Sequence, residues 1–140
     1  MKTLLEFFVE HFGFLYLDPD YRITDSRTSG APTIDAGLTL TGHVINWSIH
    51  NNRGQIGFGV APTALADSPD NWFRISVIRQ YLDGFDEMNV VQPSDMVTWA
   101  RNNIGRIEEV FSSTNAAKSC EELIALEKAL ADKYFGPSHG

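Results

Sequence analysis

With 140 residues the chain has the length of one domain, and a domain near this size buries roughly two-thirds of the surface its unfolded form exposes. Hydrophobic residues at 43% against 21% charged exclude a disordered polar chain. Eighteen acidic residues against eleven basic ones give a net charge of −7, which opposes binding to phosphate backbones and removes nucleic acid from the expected partners.

The opening run MKTLLEFFVEHFGFLYL carries Thr3 and Glu6 at capping-box spacing. Leu4, Phe7, Phe8 and Phe12 share one side of a helix, so a first helix is predicted over Leu4 to Phe12, with Gly13 as its stop. Glu6, Glu10 and His11 interrupt the run and no small-residue cleavage pattern follows, so an export signal is not expected. No stretch approaches the roughly 20 apolar residues of a membrane span, and a cytoplasmic location without membrane contact is expected.

A turn at Asp18-Pro19-Asp20 leads to a predicted short strand around Tyr21 to Thr24, and SRTSGAP reads as a loop. From Thr33 to Ala61 the period is two. Leu38, Leu40, Ile45, Trp47, Ile49, Ile56, Phe58 and Val60 are expected inward, and Thr39, Thr41, Asn46, Ser48, His50 and Gly57 outward, on three antiparallel strands joined as a meander. Gly42 and the His50 to Gly54 segment mark the turns. That outward face is expected to be flat, small-sided and nearly uncharged. Gly54, Gly57 and Gly59 read as strand glycines, which admit close approach either of this protein's own atoms or of a docked partner.

TALADSPDN reads as a loop, and Trp72 and Phe73 lead into ISVIRQYLDG, a second helix ended by Gly84. A third helix is predicted from Pro93 or Ser94, with Met96, Trp99, Ala100, Asn103, Ile107, Val110 and Phe111 as its stripe and Gly105 weakening it. After a turn at Ser112 to Lys118, Ser119 and Glu122 form a second capping box for CEELIALEKALADKYF. The third and fourth helices are expected to form an antiparallel hairpin. The expected fold is therefore α+β: an N-terminal helix, an antiparallel meander of about four strands, then three helices ending in that hairpin.

No catalytic constellation, metal site or cofactor site is predicted. His43 and His50 fall seven residues apart on one predicted strand and so on opposite faces. No serine lies in a GxSxG elbow, and the lone Cys120, beside Glu121 and Glu122, has no reason to be activated. The candidate partner-binding residues are the acidic cluster Asp83, Asp86 and Glu87, the turn residues Asp67, Asp70 and Trp72, and the polar strand residues Asn46, Ser48 and His50. Crowding carboxylates after a helix C-terminus is electrostatically unfavourable within the chain, which marks the first group for binding.

The order of these parts is that of a small protein type. HFGF after an opening helix, NNRGQI at a meander turn, and ISVIRQYLDG followed by ARNNIGRIEEVFSS and CEELIALEKALADKYFG resemble small bacterial immunity proteins of contact-dependent and other polymorphic toxin systems. The resemblance spans most of the chain and implies a small, cytosolic, acidic, non-enzymatic protein that blocks a toxin domain. A basic partner, such as a nuclease toxin, would be steered by the negative charge. A different interaction or adaptor domain, or a small-molecule site on the polar sheet face, are the other readings of the same residues.

Overall fold

A computed structural model of the protein describes residues 2–28, 36–53, 55–86 and 91–135. It opens with helices α1 (Lys2–His11) and α2 (Gly13–Tyr16). Strands β1 (Arg22–Thr28), β2 (Ala36–Thr41), β3 (Ile45–Asn52) and β4 (Gln55–Pro62) follow, then two 3-10 turns, Thr63–Leu65 and Pro69–Asn71, and the short strand β5 (Phe73–Arg74). Helices α3 (Ile75–Asp83), α4 (Pro93–Asn102), α5 (Ile104–Val110) and α6 (Ala116–Phe135) complete the described residues. The α+β class and the order of parts are as expected. No described helix is long and apolar enough to cross a membrane.

All five strands form one antiparallel sheet in sequence order, β1-β2-β3-β4-β5. The fifth strand is the one not anticipated. Two residues carry no readable alternation, yet Gly59 pairs with Arg74 and Val60 with Phe73. The expected period-two pattern is present: burial alternates along β2 and β3, with Leu38, Leu40, Ile45, Trp47 and Ile49 buried.

These inward residues join one core with Leu4, Phe8 and Phe12 from the first helix and Ile75, Val97, Ala100, Ile107 and Leu123 from the later ones. The helices therefore cover one face of the sheet. Trp47, fully buried, is met edge-on by Phe12 at 6.1 Å and Phe14 at 6.0 Å, favoured geometries for aromatic rings.

That contact explains why the first helix is not continuous. Phe12 leaves helical geometry (φ −105°, ψ 26°) to enter the core between Trp47 and Phe58, and a helical turn resumes at Gly13, the expected stop. The predicted third helix is likewise two segments. The break falls at Asn103 rather than Gly105: its φ is −119°, and its side-chain amide donates to the Trp99 carbonyl at 2.8 Å.

Neither predicted capping box caps a helix, because Thr3 lies inside α1 and Ser119 lies inside α6, which begins at Ala116. Ser119 is buried instead. Gly84 does end α3, in the left-handed conformation (φ 69°) that glycine tolerates. Farther along, α6 returns to pack on α3, where the Tyr81 hydroxyl donates to Glu122.

β1 departs most from expectation. It runs to Thr28, so the Ser26-Arg27-Thr28 part of the predicted loop is strand, while the rest of that loop, and Thr33 to Asp35 of the predicted meander, lie outside the described residues. All seven of its residues are exposed, and a bulge between Ile23 and Asp25 shifts its register on β2. Arg22, Asp25 and Arg27 pair with Thr41, Thr39 and Gly37, so the strand adds charge to the sheet's outward face.

Candidate functional site

The register across the sheet assembles the outward face in rows. One row runs Arg27, Gly37, His50, Gly57; the next runs Asp25, Thr39, Ser48, Gly59, Arg74; the third runs Arg22, Thr41, Asn46, Ala61. Residues facing each other across strands point to the same side, so these side chains share the face that the helices leave open.

Three of the sequence-predicted residues meet here. Ser48, His50 and Trp72 line a groove of about 420 Å³ together with Thr39, Arg27 and Arg74. Trp72 reaches the face because it stands two residues before Arg74, and alternation sends both side chains the same way. Its indole is fixed: Nε1 donates to the Ala66 carbonyl at 2.9 Å, while Asn71 Nδ2 donates to the Leu65 carbonyl at 3.1 Å. The loop is thus stapled to itself and holds the ring at the rim. Asn46 lies farther along β3, where the Thr63 hydroxyl donates to its Oδ1 at 2.8 Å.

The two glycines in the rows have internal reasons. A Cβ on Gly57 would stand 2.5 Å from His50 Nε2, so the imidazole lies across the strand in the space that glycine leaves. A Cβ on Gly59 would stand 2.7 Å from the Phe73 carbonyl oxygen, so glycine is what allows β5 to close on β4. Both spaces are filled by the protein itself. Covering the His50 ring holds its basicity below the usual histidine range, and the ring is neutral at pH 7.

The outward face is not nearly uncharged as expected. Its centre is small-sided, but the two outer strands bring Arg27 and Arg74 to its margins. Neither is visible in the sequence, which places Arg27 in a loop and Arg74 in a connection. Arg27 makes a long contact with Asp25, 3.7 Å from Nε, with both side chains exposed (80% and 58%), a geometry worth little in stability.

No protein-family model, curated protein or solved structure matches this protein.

The predicted acidic cluster has a different character. Asp83 ends α3, where its carboxylate accepts from Arg106 Nη1 at 2.9 Å and from Trp99 Nε1 at 3.0 Å. Arg106 also donates to Asn103 Oδ1 at 2.9 Å and to the Leu82 carbonyl at 3.3 Å, and Arg79 lies over the Phe85 ring at 3.8 Å. The hydrogen bond from Arg106, with that from Trp99, holds the Asp83 carboxyl below the usual range. The unfavourable carboxylate at a helix C-terminus is compensated internally, so it does not mark a free binding group. Asp86 is exposed and Glu87 lies outside the described residues.

Asp67 and Asp70 are exposed on the turns before Trp72. Asp70 lines a separate cleft with Pro69 and Trp72 against Ile124, Glu127 and Lys128 of α6. Asp18 behaves as turn chemistry, its Oδ1 accepting the Asp20 N–H at 2.9 Å.

His43 stands in the turn before β3 rather than on the strand, 3.7 Å from Asp20. Cys120 is buried, which raises its thiol pKa and keeps it unreactive at neutral pH. Among the described residues no three His, Cys, Asp or Glu side chains gather to hold a metal ion.

Proposed function

We propose that this protein is a bacterial immunity protein, acting in the cytoplasm by docking on a cognate toxin domain rather than by catalysis, and that the outward sheet face is the docking surface. One observation carries the reading: an open strand face with a small-sided centre has a fixed tryptophan, Trp72, at one rim and arginines, Arg27 and Arg74, at its margins. Trp and Arg are the side chains that most often dominate binding energy at protein interfaces, and a rigid ring loses little entropy on association. Thr39 and Ser48 at the centre are short side chains, which keep that part of the face low.

The layout of the sequence supports the toxin as the partner. The charge of that partner is read differently from the sequence expectation. Asp83, Asp86 and Glu87 suggest a basic toxin, but Asp83 is neutralised by Arg106, so that cluster offers less steering charge than the sequence suggests.

The test is expression of the neighbouring upstream gene product in cells with and without this protein. Growth arrest relieved by co-expression supports immunity. Harmless expression, or arrest that co-expression does not relieve, overturns it.

A further inference from the structure

Resting on the docking reading, we infer that the docking surface continues past Trp72 into the cleft between the Pro69–Asn71 turn and α6, and that this cleft takes one arginine side chain of the partner, its guanidinium stacked on Trp72 and bonded to Asp70.

Trp72 borders two hollows. On one side lies the groove of the outward face; on the other lies a cleft of about 570 Å³ that Trp72 lines with Pro69, Asp70, Ile124, Glu127 and Lys128. The turn packs against α6, and the hydrogen bonds from Asn71 and Trp72 to the Leu65 and Ala66 carbonyls hold its shape. The cleft is therefore formed before a partner arrives, which lowers the cost of filling it.

Each wall matches one part of an arginine. Pro69 and Ile124, the latter apolar yet 42% exposed, offer a surface for the methylene stem. The Trp72 N–H is already satisfied, so what its indole gives the cleft is ring surface, on which a planar guanidinium stacks. Asp70 supplies the counter-charge. No hydrogen bond or ion pair joins it to another residue among those described, whereas Glu127, the second carboxylate of the cleft, is engaged within the protein. A guanidinium stacked on the ring keeps its edge N–H groups for that free carboxylate.

Charge admits one cation and not a run of them. A guanidinium is drawn by Asp70 and by the net charge of −7. Lys128 lines the cleft as well and makes no ion pair with Asp70, so the two charges stand on separate walls and a second cation would meet the ammonium. Arg27 and Arg74 line the groove on the other side of the ring and not the cleft, and Arg74 is already engaged within the protein.

NMR titration of the intact, 15N-labelled protein tests this, because each tryptophan indole N–H gives its own resonance and Trp72→Phe identifies that of Trp72. The probes are Nα-acetyl-arginine amide, its lysine analogue, and its citrulline analogue, which keeps the shape of arginine without the charge. The arginine probe should move the Trp72 resonance saturably and leave those of Trp47 and Trp99 in place. The lysine probe should bind more weakly, and the citrulline probe should not bind. Asp70→Asn, a change at an exposed side chain, should weaken arginine binding about threefold or more, and Lys128→Gln should tighten it by up to about threefold. Melting curves guard against misfolding of either variant.

No saturable shift, a shift shared by all three tryptophans, equal affinity for the lysine or the citrulline probe, or affinity indifferent to Asp70→Asn overturns the inference, and so does weakening by Lys128→Gln. Affinity for the upstream gene product that is unchanged by Asp70→Lys overturns the cleft as a docking point while leaving immunity intact. Arginine-probe binding by a protein that gives no relief of growth arrest overturns immunity alone.

Discussion

Two clusters in this protein are built from arginine and tryptophan, and they differ in where the donors are directed. At the end of α3, Arg106 is committed to Asp83, Asn103 and the Leu82 carbonyl, and the Trp99 N–H is committed to the same carboxylate. On the sheet, Trp72 uses its N–H on its own loop, while Arg27 makes a long, exposed contact with Asp25. The first cluster closes on itself and fastens α3 to α4 and α5. The second presents guanidinium to the outside. Residue type alone does not separate a structural knot from a binding surface; the fate of each donor does.

The contrast can be broken most forcefully at the seam that carries Arg74. Gly59→Val should destabilise by about 1–3 kcal/mol, because the new side chain meets the Phe73 carbonyl and pushes β5 off the sheet. Denaturant midpoints read the loss, and an unchanged midpoint would show that β5 pairing is dispensable. Arg106→Gln should lower the melting temperature by less, since it leaves Asp83 and the α3 terminus without their cation. A Tm equal to wild type would place the α3 knot in the same class as the sheet face.

The pH dependence should separate the regions by window. Asp83 has a folded pKa below its unfolded value, so it contributes stability above about pH 4 that is lost as pH falls through the folded value. His50 is likewise depressed, so the unfolded protein takes up its proton first and stability declines as pH falls below about 6.5. Stability curves of Asp83→Asn and His50→Gln should each flatten in their own window; a shared window would refute the assignment. Smallest of all, Arg27→Ala should leave stability within about 0.5 kcal/mol, and a larger loss would mean that the arginine belongs to the fold rather than to a partner.

How much of this is legible in the sequence follows from signal length. β2, β3 and β4 alternate over six to eight residues and are readable in extent and in facing. β5 has two residues and is not. The helix breaks at Phe12 and Asn103 are hidden because both positions fit a helical stripe, and the cause of the first break, the ring cluster around Trp47, is tertiary. At the site, Ser48, His50 and Trp72 are readable as polar or aromatic residues on strand or turn. Arg27 and Arg74 are not, because each owes its place to a pairing with a neighbouring strand. The Asp83 cluster misleads for a related reason: its partner Arg106 lies on another helix.

The bulge in β1 has a further consequence. A seven-residue strand exposed on both faces at the margin of a sheet is a template on which further copies could polymerise. The register shift between Ile23 and Asp25 kinks that margin, and Arg22, Asp25 and Arg27 line it with charge. A flat, apolar edge would recruit copies of itself. The irregularity that turns Arg27 onto the outward face also discourages fibril growth, so the charge of that face and its resistance to aggregation are governed by one local defect in the ladder.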